Sequence, residues 1–270
     1  MVQEIREQQP KIGTRKLHHK LKPEVNQLGF NIGRDKLFDI LSENKLLIRK
    51  RKTRVRTTNS NHIFKKYPNL VKEFIPYKSN QLWVSDITYI RTLKGFVYVY
   101  FLTDAYSHKI VGFEVSGNLE AINAVKCLRK ALKQMHKPIT GLIHHSDRGI
   151  QYCSHEYVNL LQDYKIRISM TENGDPRENA IAERINGIIK DEFLSNVTMI
   201  SLSDAKERIE SVILIYNKER PHMSCDMLTP DDAHKQSGIL KKHWKKYYLK
   251  NNNLINDNLT NFNVKPVNLF

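Results

Sequence analysis

Three carboxylates stand at positions where an acid could do chemistry. Asp86 interrupts the apolar run Trp83-Val84-Ser85-Asp86-Ile87-Thr88-Tyr89-Ile90. Aspartate is disfavoured in strands, so a charge there is paired, metal-bound or turned outward. Asp147 follows the short run Leu142-Ile143-His144-His145 and precedes Arg148-Gly149. Ligands in mixed α/β sheets gather at strand ends, although an Asp shortly before a Gly is also an ordinary turn. Glu183 lies in a helical pattern whose Ile181, Ile185 and Ile188 line one face. Glu183 then falls on the other side, in one stripe with Asn179, Asn186 and Lys190, three residues expected to contact DNA. The chemistry that needs such acids is phosphoryl transfer on nucleic acid. Two divalent ions about 3.5–4 Å apart can activate the attacking oxygen and stabilise the leaving one. Mg²⁺, for which Mn²⁺ can substitute, takes hard oxygen ligands, usually one or two carboxylates plus water and substrate phosphate. Asp86, Asp147 and Glu183 are therefore the candidate catalytic residues and metal ligands, with Lys190 placed to meet a phosphate.

Each acid alone also has an ordinary reading: an outward strand Asp, a turn Asp, a solvated helix face. The chain has 28 acids, so the spacing between Asp147 and Glu183 arises readily by chance. What distinguishes the three is the order of the elements that carry them. Residues 82–90, 96–103 and 110–115 are rich in Val, Ile, Tyr and Phe and read as three consecutive strands, with turns at Lys94-Gly95 and Ser107-His108. A helix over 120–135, a short strand over 142–145, a helix over 156–164 and a fifth strand over 166–170 follow. Amphipathic helices are expected over 179–194 and 202–216. Strands in a meander, then alternating helices and strands, give an α/β fold: a mixed five-stranded sheet flanked by helices. An acid in the first strand, one after the fourth and one on a later helix is the order of a ribonuclease-H-like fold, where those elements converge.

Ahead of the sheet, residues 1–50 read as short helices. Leu17, Leu21, Val25 and Leu28 recur at helical spacing after Thr14, a candidate N-cap, and Gly29 is a stop signal. Leu37, Ile40, Leu41 and Leu46 line a second helix. With Gly33 between them, the pair fits a helix-turn-helix and an ordinary helical hairpin equally well. Residues 51–80 read as a basic linker. At its start Arg49, Lys50, Arg51 and Lys52 are expected to lie along DNA phosphates. Residues 81–235 form the expected core, and 236–270 a basic, Asn-rich tail. In that tail, Trp244, Tyr247 and Tyr248 alternate with lysines, as a DNA-contacting segment or a core-closing helix would.

The composition agrees with a polyanionic partner. Lys and Arg number 44 against 28 acids, a formal charge of +16, and the pI is near 9.6. The three cysteines, Cys127, Cys153 and Cys225, are scattered and odd in number, which argues for free thiols in a reducing compartment. His144, His145, Cys153 and His155 lack the spacing of a tetrahedral zinc site. No apolar run approaches the roughly 20 residues needed to span a bilayer. The expectation is a cytoplasmic, nucleoid-associated protein with no membrane contact.

Four motifs in order carry a family resemblance: Trp83-Val84-Ser85-Asp86-Ile87-Thr88; His145-Ser146-Asp147-Arg148-Gly149-Ile150-Gln151-Tyr152; Glu178-Asn179-Ala180-Ile181-Ala182-Glu183-Arg184; and Tyr216-Asn217 with Arg220-Pro221-His222 and Leu228-Thr229-Pro230. Over about residues 12–235 the chain resembles the catalytic, second-frame protein of IS3-family insertion-sequence transposases, relatives of retroviral integrases. The resemblance implies a DDE triad of Asp86, Asp147 and Glu183, with Lys190 as the basic residue beyond the Glu. It implies cleavage by water at the element's 3′ end, then attack of the freed 3′-OH on another phosphodiester. It also implies partners: terminal-repeat and target DNA, a first-frame protein or fusion, and a homo-multimer on DNA. The chain opens inside the helical region where family members begin further upstream, so part of site selection is expected to lie outside it. Two other readings remain: a DNA-binding regulator from a decayed element, and a nuclease of the same fold that only hydrolyses.

Overall fold

The sheet is built outward from the strand that carries Asp86. A computed structural model describes residues 1–48, 63–135, 140–172, 176–195 and 197–244. β1 (Leu82–Thr92) pairs antiparallel with β2 (Gly95–Asp104), in register from Trp83↔Asp104 to Thr92↔Gly95. That register leaves Leu93-Lys94 as a two-residue hairpin loop, and Gly95 opens β2 at a φ of 118° that favours glycine. The turn therefore sits one residue earlier than expected. β3 (Ile110–Ser116) extends the meander beside β2. On the other side β4 (Ile143–Ser146) runs parallel to β1, and β5 (Arg167–Met170) parallel to β4, so the order is β3-β2-β1-β4-β5. This is the expected mixed five-stranded sheet.

Alternation along the strands sends side chains into two cores. On one face Trp83, Tyr100 and Leu102 pack with α4 (Ala121–Lys133) and α6 (His155–Asp163) through Leu128, Ala131, Tyr157 and Leu161. β3 and α4 approach so closely that a Cβ at Gly112 would lie 2.8 Å from the Cys127 carbonyl oxygen. On the opposite face Val97, Val99 and Phe101 pack with α7 (Ala180–Ile188) and α8 (Leu202–Glu219) through Ile185, Ile188, Ile209 and Ile213. Each such buried side chain contributes roughly 1.5–3 kcal/mol. The isoleucine stripe thus fixes α7, with its acid, over the sheet. A 3-10 turn (Pro176–Asn179) leads into α7, and the helix continues as a π-helical turn (Ile189–Phe193). Neither irregularity, nor the short α5 (Ile150–Cys153), was expected.

α1 (Val2–Gln8), α2 (Thr14–Gln27) and α3 (Arg34–Glu43) form a separate small core of Ile12, Leu17, Leu21, Leu37 and Leu41. Gly13, not Thr14, is the N-cap of α2, and Gly29 ends it at φ 82°. This segment is joined to the sheet domain by a buried cluster of charges. Arg220 donates to both Glu192 oxygens at 2.8 Å, and Lys16 Nζ to Glu192 Oε1 at 3.1 Å.

Residues 63–80, expected within the linker, run along the core: Leu70, Val71 and Phe74 pack on Leu82 and Val84. The first tail residues also fold back, with the Gly238 amide donating to the Tyr77 carbonyl at 2.6 Å. Short α9 (Pro230–Ala233), opened by Thr229 as its N-cap, precedes them. Arg49, Lys50, Arg51 and Lys52, and Tyr247 and Tyr248, lie outside the described residues. Among the described residues no helix is long and apolar enough to cross a membrane.

Candidate active site

The register of the parallel pair places the first two acids. β1 and β4 pair from Leu82↔Ile143 to Ser85↔Ser146. The next residue on each chain is Asp86 and Asp147. Neighbouring strands run about 4.8 Å apart, so these two aspartates flank each other just past the end of β4. Asp147 leaves the strand into a turn in which its Oδ1 accepts from the Gly149 amide at 3.0 Å. A Cβ on Gly149 would lie 3.0 Å from that same oxygen and 3.2 Å from Gln151 Oε1. A larger residue there would make the Asp147 carboxylate give way by a few tenths of an ångström.

The third acid arrives from above. Asp86 shares its face of β1 with Val84 and Thr88, and Val84 packs with Ala182 of α7. Asn186 Nδ2 donates to Asp86 Oδ2 at 2.6 Å, and the Ile87 amide to Asp86 Oδ1 at 2.9 Å. Lys190 Nζ donates to Thr88 Oγ1 at 3.2 Å and stands 4.7 Å from the centre of the Tyr89 ring. Glu183 is exposed on the same helix. The stripe of Asn179, Glu183, Asn186 and Lys190 therefore runs along β1. It is not wholly a solvated face, since Asn179 and Asn186 are buried.

Two further contacts hold the start of α7. Asn179 Nδ2 donates to the Ser85 carbonyl at 2.9 Å. His145 Nε2 lies 3.0 Å from the Glu178 carbonyl and its Nδ1 2.8 Å from Ser169 Oγ. Burial pushes His145 down to about 4. The neutral ring thus donates from Nε2 to the carbonyl and accepts at Nδ1. His144 is likewise buried against the Tyr157 hydroxyl at 2.8 Å. Both rings are thus held by hydrogen bonds inside the domain. Sequence reasoning did not find the anchoring roles of Ser85 and His145. Thr88 could have been found from strand alternation, two residues past Asp86.

The electrostatics are those of crowded carboxylates. Burial, then Asp147 and Glu183, push Asp86 up to about 8, while the Ile87 amide and Asn186 pull the other way. Like charges raise one another's pKa when gathered at one point. A hard divalent cation is the group that relieves such crowding, and the oxygens of Asp86, Asp147 and Glu183 suit it. Among the described residues no three His, Cys, Asp or Glu side chains form a ready-made cage. The acids therefore fit such an ion in their hard-oxygen chemistry and in the adjacent placing of Asp86 and Asp147, not as three assembled ligands.

Comparison with known proteins places this geometry in context. Two models described as integrase core domain match residues 76–176 and 164–230. The chain is 34% identical, over 81% of its length and 79% of the relative's, to the insertion element IS600 uncharacterized 31 kDa protein of Shigella sonnei. It is 32% identical to transposase InsF for insertion sequence IS3fB of Escherichia coli strain K12, over 62% of this chain and 58% of that relative. The fold matches a chain of the simian T-cell lymphotropic virus intasome with a TM-score of 0.52 at 17% identity, covering 87% of this chain and 79% of that one. By these shared sequences, the chain belongs to the IS3-type insertion-sequence transposases and carries their integrase core.

Proposed function

We propose that this chain performs Mg²⁺-dependent cleavage at the 3′ ends of an insertion sequence and joins them to target DNA, with Asp86, Asp147 and Glu183 as the ligand set. Mn²⁺ would substitute. The observation that supports the reading is that Asp86 and Asp147 each follow the last register pair of β1 and β4, Ser85↔Ser146, and that the charges of Asp147 and Glu183 both act on Asp86. Bound divalent ions would ease the build-up of negative charge on the attacking and leaving oxygens. The residues around them hold and orient. Asn186 fixes one oxygen of Asp86, Asn179 ties α7 to β1, and Gly149 sets the turn that presents Asp147. Lys190, near Thr88, meets a substrate phosphate.

In the first step water attacks phosphorus and the P–O3′ bond breaks, leaving a 3′-OH on the element and a 5′-phosphate on the flank. In the second, that 3′ oxygen attacks a target phosphodiester and a target 3′-OH departs. One bond forms for each that breaks, so joining needs no energy source and no covalent enzyme intermediate. Residues 1–50 serve as a helix-turn-helix-like DNA reader and 51–80 as a basic connection, with Arg49, Lys50, Arg51 and Lys52 at their junction meeting DNA phosphates. Residues 81–235 supply the chemistry and 236–270 a tail. Because joining acts on two DNA ends, the working form is a homo-multimer on terminal-repeat and target DNA. A first-frame protein or fusion contributes site selection, and the setting is the nucleoid-associated cytoplasm. Glu183→Gln should abolish Mg²⁺-dependent cleavage while DNA binding persists. Unchanged cleavage would remove Glu183 from the site.

A further inference from the structure

The β1–β2 hairpin runs on past the end of β4, and its loop and the sheet face opposite Asp86 leave large apolar side chains exposed. Tyr89 is 39% exposed, Phe96 54% and Leu93, in the loop, 71%. Tyr89 and Phe96 pack edge to face, with ring centres 5.6 Å apart and planes at 86°. Lys190 Nζ stands over the Tyr89 ring at 4.7 Å. Arg91 and Lys94, both exposed, flank the pair. Two large rings left in water cost free energy unless something covers them, and cations on their border favour a polyanion.

We propose that Tyr89 and Phe96 form a stacking platform for an unpaired base next to the reacting phosphate of a DNA end. Tyr89 is three residues beyond Asp86. At about 3.3 Å per residue it stands about 10 Å further along β1 and leaves the opposite face of the strand. Lys190, bonded to Thr88 and lying over the Tyr89 ring, spans the two faces where β4 no longer pairs with β1. The platform thus lies around that edge from the acids, within a reach of about three stacked nucleotides. Aromatic side chains accept any base through its π-face, while nearby lysine and arginine hold the backbone. A frayed end would thus be caught with its base on the rings and its phosphates near Lys190, Arg91 and Lys94. The platform favours melted ends over closed ones, whatever their sequence. This inference rests on the proposed function, in that it needs DNA at this site.

The test uses the full chain and a DNA duplex ending in an unpaired 2-aminopurine at its 3′ end, compared with a blunt duplex of the same sequence. Stacking on the rings should quench the probe, and the parent should bind the frayed duplex more tightly than the blunt one. Phe96→Ala and Tyr89→Ala should each lose most of the quenching and weaken frayed-end binding by roughly tenfold, within the range seen for single stacked bases. Phe96→Tyr and Tyr89→Phe should restore both. Quenching and affinity unchanged in both alanine variants would overturn the platform while leaving the proposed function standing. A parent that binds neither duplex would overturn the proposed function, and the platform with it. Alanine variants that bind DNA normally but sediment as smaller species would overturn it too, and assign the hairpin to contacts between copies.

Discussion

Replacing Asp86 by Asn should stabilise the metal-free protein. Burial and the charges of Asp147 and Glu183 hold Asp86 at about 8, against an ordinary value of 3.8. The folded chain therefore keeps this proton more tightly than the unfolded chain does. The stability it contributes is complete below about pH 4 and is lost as pH rises towards 8. At about 1.4 kcal/mol per unit, the loss by pH 8.5 is on the order of 5 kcal/mol. The Ile87 amide can still donate to the Asn oxygen, and a flip of the Asn186 amide lets its buried, unpartnered oxygen accept from the Asn NH2 group, so the substitution removes the charge and keeps much of the shape. For a chain of this size 1 kcal/mol moves the melting point by about 2–4 °C. Asp86→Asn in a chelator should thus melt on the order of 10 °C above the parent at pH 8.5 and close to it at pH 4, read by calorimetry across the pH range. The same proton must leave when a divalent ion binds. Mg²⁺ affinity of the parent should therefore rise about tenfold per pH unit up to about pH 8 and then level off. Titration calorimetry in buffers of different ionisation enthalpy would count the released proton. A parent as stable as Asp86→Asn at pH 8.5, or a Mg²⁺ affinity flat between pH 6 and 8, would refute the reasoning.

The charge cluster under the helical segment makes a contrasting case. Burial pushes Glu192 up, but Arg220 and Lys16 more than offset it and leave it at about 2. Its stabilisation is present above about pH 4 and lost as pH falls towards 2. Glu192→Gln should cost about 3–5 kcal/mol at neutral pH, because Arg220 is left buried without its partner. Lys16, which burial and Arg220 push down to about 8, is a poorly placed cation, so Lys16→Met should cost much less. Equal losses in denaturant titration would contradict that division. Gly149→Ala should lower cleavage by about tenfold to a hundredfold with little change in melting point, by shifting Asp147; wild-type rates would show that the turn has slack. Lys190→Ala should reduce the salt slope of DNA binding by about one, and an unaltered slope would remove its phosphate contact.

The sheet and most of its helices are legible in the sequence because alternation and helical periodicity are local signals that tertiary packing reinforces. Asp86 stands out because an acid inside an apolar strand needs a reason. Asp147 and Glu183 do not stand out locally; register and helix placement bring them together, and only the order of elements hints at that. The stripe of Asn179, Asn186 and Lys190 follows from helical spacing. That two of its members are buried hydrogen-bond donors to β1 does not, because burial depends on how α7 is laid over the strand. The π-helical turn at Ile189–Phe193 is invisible to a 3.6-residue pattern. It turns Lys190 towards Thr88 and Glu192 towards Arg220 from one short stretch. Tyr216, Asn217, Arg220 and His222 carry the C-terminal signature, and their contacts are structural. Asn217 pairs with both backbone groups of Ile110, and the Tyr216 hydroxyl donates to the His108 carbonyl. The boundaries at 81 and 236 are blurred for a related reason: the flanking segments are too irregular to show periodicity, yet Phe74 and Gly238 are held against the core.

The most direct test is a strand-transfer assay with a pre-cleaved terminal-repeat oligonucleotide, a target duplex and Mg²⁺, run on the parent and on Asp86→Asn, Asp147→Asn and Glu183→Gln. The parent should give joined DNA. Each variant should give none while still shifting the oligonucleotide in a binding gel. Hydrolysis products without joined DNA from the parent, or joining that survives loss of any of the three acids, would contradict the account.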